Sequence, residues 1–500
     1  MAPGRTLMVQ GTSSAVGKSL LVTGLCRYYR DLGLRVAPFK AQNMALNSAV
    51  TPEGLEIGRA QAVQAEAAGI PPHVDMNPIL LKPEAGGGCQ VVVMGEPATT
   101  IPSSDYHPRA LSPVVEASLL RLRQQYDLVI LEGAGSPAEI NLKSRDIANM
   151  YLAELADAPV LLVGDIDRGG VFAALAGTLL LLEPHERKRV VGLVINKFRG
   201  DLGLLRDGLS MIEARVERPV LGVLPFLPEL RIAEEDSVAL EQRRAVAPHP
   251  DRLDVAVLRF PHLSNLDDVL ALEHEPDVGV RFVERLDALG APDAPDLVIL
   301  PGSKSTRADL VWLRERGFEP WLRKRAERAA PILGICGGYQ MLGERIVDAE
   351  SVEGGGGEAE GLGLLPCVTR FAPHKVTRRV HATPLRSLLT GGAETPLAAV
   401  AGYEIHMGDV VRAGGAAPLW RIDDRTEGCQ DPGGAVAGTL IHGVLEDDAL
   451  RHAMLRGLAA RRGLSALRFS ASRPDAEYDR VAAAVAEHLD TEQLARLAGI

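Results

Sequence analysis

The chain has 500 residues, more than one hydrophobic core can organise, so two or three domains are expected. Its 46% hydrophobic and 24% charged residues are those of an ordinary globular protein, and a formal net charge of −11 argues against nucleic acid or an anionic membrane as its main partner. Five widely spaced cysteines form no C-x-x-C pair, which speaks against a disulfide framework or a zinc site and for a reducing compartment. The amino terminus has no signal-peptide pattern, and the longest uncharged apolar run, Gly169 to Leu182, is shorter than the roughly 20 residues of a membrane span. A cytoplasmic protein is expected.

In chain order, Thr6–Gln10 reads as a short strand, Gly11–Ser19 as a Gly-Thr-x-x-x-x-Gly-Lys-Ser loop, and the following segment as a helix with Leu21, Leu25, Tyr28 and Leu32 on one face. The loop departs from the strict phosphate-binding pattern, because Thr12 stands where its first glycine belongs and Gly11 precedes it. Its physical use survives. Gly11, Thr12 and Gly17 supply a loop whose N–H groups can cradle phosphate, Lys18 can reach the outer phosphates, and Ser19 can hold Mg²⁺. A second lysine, Lys40, ends the strand from Arg35 to Phe39. The strand of residues 126–132 ends in Glu132, which suits a Mg²⁺ ligand. Residues 159–167 and 190–197 are further strands with polar ends, and such ends converge on the crevice where open parallel sheets bind ligands. The polar loops 40–48 and 139–149 can present many donors to a substrate rich in carboxylates and amides, although Asn and Ser also populate loops for local reasons.

Residues 229–253 turn charged and irregular, which places a linker at 237–250 between a domain of residues 1–236 and one of 251–448. In the second domain the strand from Asp296 ends in Pro301-Gly302-Ser303, whose N–H groups can form an oxyanion hole. Residues 332–343, Ile-Leu-Gly-Ile-Cys-Gly-Gly-Tyr-Gln-Met-Leu-Gly, run a strand into Cys336 and then a helix, the layout of a nucleophile elbow. At its ordinary pKa only roughly 3% of a thiol is ionised at neutral pH, so a helix amino terminus aimed at the sulfur would raise the reactive fraction. About a hundred residues on, His442 ends another apolar stretch and can take the thiol proton. Gly354–Gly357 suggests a surface loop. Residues 449–500 form a helical tail, with Tyr478, Val481, Val485 and Leu489 on one face and no evident chemistry.

In this order Gly302, Cys336 and His442 resemble the class I glutamine amidotransferase domain, which releases ammonia from glutamine through a thioester. Many members carry a Glu two residues after the His; here that position is Val444 and the nearest acid is Glu446, so the pair is read as a dyad. The amino-terminal half resembles the dethiobiotin synthetase type of P-loop fold, whose members phosphorylate a carboxylate or carbamate with ATP. The segments Phe39–Ser48, Asp75–Pro83, Asn141–Asn149 and Gly402–Gly408 are similar to the cobyrinate-amidating family, in its cobyric-acid-forming branch.

These resemblances imply an α/β protein: a P-loop parallel-sheet domain followed by a class I glutamine amidotransferase-like domain. They imply ATP and Mg²⁺ as cofactors, and corrinoid, glutamine and ATP as small-molecule partners. The implied reaction activates corrinoid carboxylates as acyl phosphates and amidates them at b, d, e and g of adenosylcobyrinic acid a,c-diamide. Two alternatives stay open, a cobyrinic acid a,c-diamide synthase and an ATP-driven partition-type switch. Oligomeric state is not readable from the sequence.

Overall fold

The computed structural model describes residues 3–102, 105–233, 248–353, 356–389, 398–413, 416–464 and 467–500. Most of the expected linker and the first two glycines of Gly354–Gly357 lie outside these residues.

Strand β1 (Arg5–Gly11) is buried from Thr6 onward, as an apolar run covered on both sheet faces must be. It lies inside a parallel six-stranded sheet ordered 220–225, 190–198, 160–165, β1, 128–132, 36–39. Helix α1 (Lys18–Asp31) follows the loop. Glu132, Asp165 and Asn196 all emerge at the carboxyl edge beside that loop, because parallel pairing brings these strand ends level.

The second domain repeats the plan. Its sheet runs 278–283, 253–258, 297–300, 332–335, 436–439, all parallel, with 429–430 antiparallel at the edge. A long hairpin, Cys367–Pro384 with Val400–Arg412, adds a second sheet that pairs with Ile441–His442.

The carboxy-terminal residues divide between the two bodies. Helix Asp448–Arg462 buries Leu450, Met454, Leu455 and Leu458 in the second domain's core. Helix Pro474–His488 returns to the first domain and lies on α1, where Gly24 leaves room for Val481 and Val485; a Cβ on Gly24 would sit 2.7 Å from Val481 Cγ1. Asp490 N–H then donates to Leu221 O. Arg27 pairs with Asp475 and Asp479, but those carboxylates are 80% and 58% exposed, so each pair contributes at most about 1 kcal/mol. Burying a valine is worth about 1.5–3 kcal/mol, so apolar packing holds the helix in place.

Where the domains meet, the Glu56 carboxylate takes Lys82 Nζ and Lys375 Nζ, each at 2.5 Å. Burial pushes the Glu56 carboxyl up, yet the two ammonium groups outweigh it and hold the carboxyl well below the usual range. Burial in turn lowers Lys375 to about 8, against the upward pull of Glu56.

Candidate active sites

The elbow is present. Cys336 has φ 49° and ψ −110°, a conformation that costs a non-glycine residue about 1–3 kcal/mol. It is held there by Cys336 N–H donating to Thr439 O at 2.8 Å and by Gln340 N–H donating to Cys336 O at 2.9 Å. Gly337 and Gly338 are required by close approach: a Cβ on Gly338 would stand 1.9 Å from Leu300 O, and one on Gly337 2.8 Å from Ser303 N. The Gly302–Ser303 segment therefore abuts the elbow, and a Cβ on Gly302 would fall 3.3 Å from His442 Cε1. The helix after Cys336, Gly337–Leu342, has only six residues, so its dipole is a minor influence on the sulfur. The nearby cation is His442.

His442 is fully buried, and its Nδ1 lies 2.7 Å from Asp268 Oδ2. Asp268 Oδ1 also accepts the Gly443 N–H at 2.7 Å, which fixes the carboxylate. Burial alone would lower the His442 pKa; the charges of Asp268 and Cys336, with hydrogen bonds to both, raise it to about 10. Tyr403 stacks on the ring at 5.3 Å. The dyad expectation is thus corrected. The acid that meets His442 is Asp268, not Glu446, which instead pairs with Arg59 at 3.0 Å.

Asp268 was missed because it lies 174 positions before His442 and opens helix Asp267–Glu273, where paired acids read as ordinary helix-start residues. Its neighbour Asp267 is pushed by burial up to about 6, although Arg59, 2.9 Å away, opposes this.

The other site gathers the expected residues around Glu132, itself fully buried. Ser19 Oγ donates to Glu132 Oε1 at 2.8 Å, Lys40 Nζ to the same oxygen at 3.0 Å, and Gln64 Nε2 to Oε2 at 2.6 Å. Gln64, on helix α2 (Arg59–Ala67), had no signal in the sequence beyond a helical pattern. Lys18 Nζ is held by Ser13 O and Gly135 O, both at 3.0 Å. Gly17 has φ 97°, and a Cβ there would meet Asn196 Nδ2 at 2.1 Å. Gly11 also has to be glycine, since its Cβ would strike Val16 Cγ2 at 2.5 Å. The Thr12 N–H is donated to Val163 O, so it extends the sheet.

Much of the polar chemistry in 40–48 and 75–83 is internal. Asn43 pairs with Gln61, Asn77 bonds Lys40 O and Ile79 O, and Asp75 binds Arg121. Ile140, Asn141, Leu142 and Ser144 remain exposed. Among the described residues no group of three or more His, Cys, Asp or Glu is placed to hold a metal, and no helix is long and apolar enough to cross a membrane.

Known proteins match both halves. Residues 254–450 fit the profile described as a CobB/CobQ-like glutamine amidotransferase domain, and residues 7–239 that of a CobQ/CobB/MinD/ParA nucleotide binding domain. The molecule is therefore a glutamine amidotransferase coupled to a nucleotide-binding domain. Over 99% of both chains it is 54% identical to the cobyric acid synthase of Sorangium cellulosum. It is 50% identical to that of Klebsiella pneumoniae, over 98% of this chain and 97% of the relative, and 48% to that of Pelotomaculum thermopropionicum, over 99% and 97%. The chain belongs to the cobyric acid synthase family. Its amino-terminal half alone also fits the partition-type switches; the second domain and the full-length relatives remove that alternative.

Proposed function

We propose that the chain, working in the cytoplasm, uses glutamine and ATP to amidate the b, d, e and g carboxylates of adenosylcobyrinic acid a,c-diamide, giving adenosylcobyric acid. Cys336 sulfur attacks the glutamine side-chain carbonyl while Gly302 and neighbouring N–H groups hold the oxyanion. His442, oriented by Asp268, carries the thiol proton to the departing nitrogen. The C–N bond breaks, ammonia leaves, and water then cleaves the thioester to glutamate.

In the first domain Ser19 Oγ and Glu132 Oε1, 2.8 Å apart, fit a Mg²⁺ that keeps phosphate oxygens as its remaining ligands. Bound ATP-Mg²⁺ supplies the phosphoryl group that activates the corrinoid carboxylate as an acyl phosphate for attack by ammonia. Lys18 serves it by exchanging its two carbonyl partners for phosphate oxygens, and Lys40 by neutralising Glu132 from the substrate side. By this reading residues 1–236 are the amidoligase domain and 251–448 the ammonia source, with ammonia passing internally.

The observation that carries the reading is the shared wall between the sites: Asn47 and Ser48 of the first domain bond directly to Asn265 and Leu266, beside His442. The test is incubation of the purified chain with ATP, Mg²⁺, glutamine and each corrinoid acid, with mass detection of NH₂-for-OH exchange. Four exchanges on the a,c-diamide are expected. Exchange confined to a and c of cobyrinic acid would assign the sister reaction instead.

A further inference from the structure

Gly302 and Ser303 lie on a short ribbon, paired antiparallel with Leu263–Ser264 in the register Ser264↔Gly302 and Leu263↔Ser303. So short a pairing holds little by itself. Further ties converge on one carboxylate. Asp309, fully buried in helix Thr306–Glu315, accepts the Ser303 hydroxyl on Oδ2 at 2.5 Å and meets His262 Nδ1 through Oδ1 at 2.8 Å. An ionised carboxylate only accepts, so the Ser303 proton points to Asp309 and the imidazole carries a proton on Nδ1. This hydrogen bond raises the His262 pKa above its ordinary value, against the lowering by burial. Ser303 Oγ in turn accepts Ser305 N–H at 3.1 Å, and His262 O accepts Lys304 N–H at 2.9 Å. One side chain thus clamps both strands of the ribbon, one with each oxygen.

What the clamp sets is the position of the ribbon over the elbow. A Cβ on Gly337, the residue after Cys336, would stand 2.8 Å from Ser303 N and 3.2 Å from Ser303 Cα, so the strand lies directly against the nucleophile's neighbour. An oxyanion donor acts only where it is aimed before the charge develops, and a misplacement of about 1 Å can cost about 10²-fold in rate. The partner strand of the ribbon continues through residues 265–266 into helix Asp267–Glu273, whose Asp268 meets His442.

We propose that Asp309 is a positioning residue for glutamine hydrolysis: through Ser303 and His262 it holds the Gly302–Ser303 amides where the oxyanion of the tetrahedral intermediate forms. Both of its oxygens are committed to the ribbon, so it acts through Ser303 and not on the substrate. Ser303 then has two parts, a backbone donor for the oxyanion and a hydroxyl that fixes its own placement. The inference rests on Cys336 being the glutaminase nucleophile.

Asp309→Asn tests it, because the shape is kept while one acceptor oxygen is left to face two donors. In the full-length protein, kcat for glutamine hydrolysis should fall by about 10- to 100-fold with KM for glutamine within about threefold, the pattern of an interaction made in the transition state. The decisive probe is glutamate γ-semialdehyde. Cys336 sulfur adds to its aldehyde carbon, the C=O π pair moves to oxygen, and the resulting thiohemiacetal presents the same oxyanion; its Ki should rise by the factor by which kcat falls. Mass-mapped alkylation of Cys336 by iodoacetamide, a displacement at saturated carbon that forms no oxyanion, should keep its wild-type rate. Wild-type hydrolysis, an unchanged aldehyde Ki, or an equal loss in alkylation overturns the proposal. His262→Asn and His262→Ala cover the case of an Asp309 variant that does not fold: the asparagine amide nitrogen falls where Nδ1 does and should retain activity, whereas alanine should lose it with the same aldehyde signature. Equal activities of these two overturn the clamp. Cys336→Ser run alongside separates the two failures, since hydrolysis surviving there would remove the underlying assignment itself.

Discussion

The elbow around Cys336 and the loop around Lys18 occupy equivalent places, each at the carboxyl edge of a parallel sheet, but they are prepared differently. At the elbow the protein combines a strained backbone, a buried imidazole and a carboxylate held by its own backbone donor. At the loop the charged groups are held by the protein itself, Lys18 on two carbonyls, Lys40 and Ser19 on Glu132, and Lys197 on Ala15 O and Asp165. A nucleophile must be aligned before its substrate arrives. A polyphosphate site can keep its charges on one another and exchange them, which avoids leaving buried charge unpaired.

The comparison predicts separable losses. Cys336→Ser should abolish amidation from glutamine while amidation from high ammonium salt persists, read as product mass; loss of both in a folded protein would end the division of labour. Asp268→Asn should cut glutamine hydrolysis by about 10²–10⁴-fold, the range for general-base and triad-orientation losses, and leave the ammonium route untouched. The sign of its pH effect follows from Asp268 and Cys336 together raising His442 to about 10 against the lowering by burial. The cation is present below that value, so removing Asp268 should move the basic limb of hydrolysis to lower pH, and a profile that does not move would deny the relay.

Lys18→Ala should lower amidation from glutamine and from ammonia alike, by roughly tenfold or more, because both routes use the activated carboxylate, while basal glutamine hydrolysis survives. An ammonia-driven rate near wild type would make residues 11–19 a structural turn. Glu446→Gln should cost least, under about tenfold in hydrolysis, because Glu446 pairs with Arg59 away from His442 and is 46% exposed. A loss as large as that of Asp268→Asn would return Glu446 to the relay.

What the sequence disclosed was local. Gly17-Lys18-Ser19 after a strand, and Cys336-Gly337-Gly338 between strand and helix, carry their geometry in a few consecutive residues, since glycine permits the turn and apolar runs demand burial on both sides. His442 was found because it too ends a strand. Asp268 and Gln64 were not found, because each acts across a large sequence separation and looks locally like a helix start or a helix interior. The apolar face of the tail, with Tyr478, Val481 and Val485, was readable as a face but not as a partner for α1, since periodicity says that a surface is buried and not what buries it.

That helix brings the chain back to the first domain, which already holds β1. The glutamine-splitting half is thereby carried as an insert between two segments packed in the first domain, strand Val220–Pro225 before it and helix Pro474–His488 after it. A body on a single tether samples a wide cone of orientations, whereas one hung from two can only rock about the line joining them. The ammonia source thus stays in register with its acceptor through many turnovers, which matters to an enzyme that returns repeatedly to different carboxylates of one macrocycle.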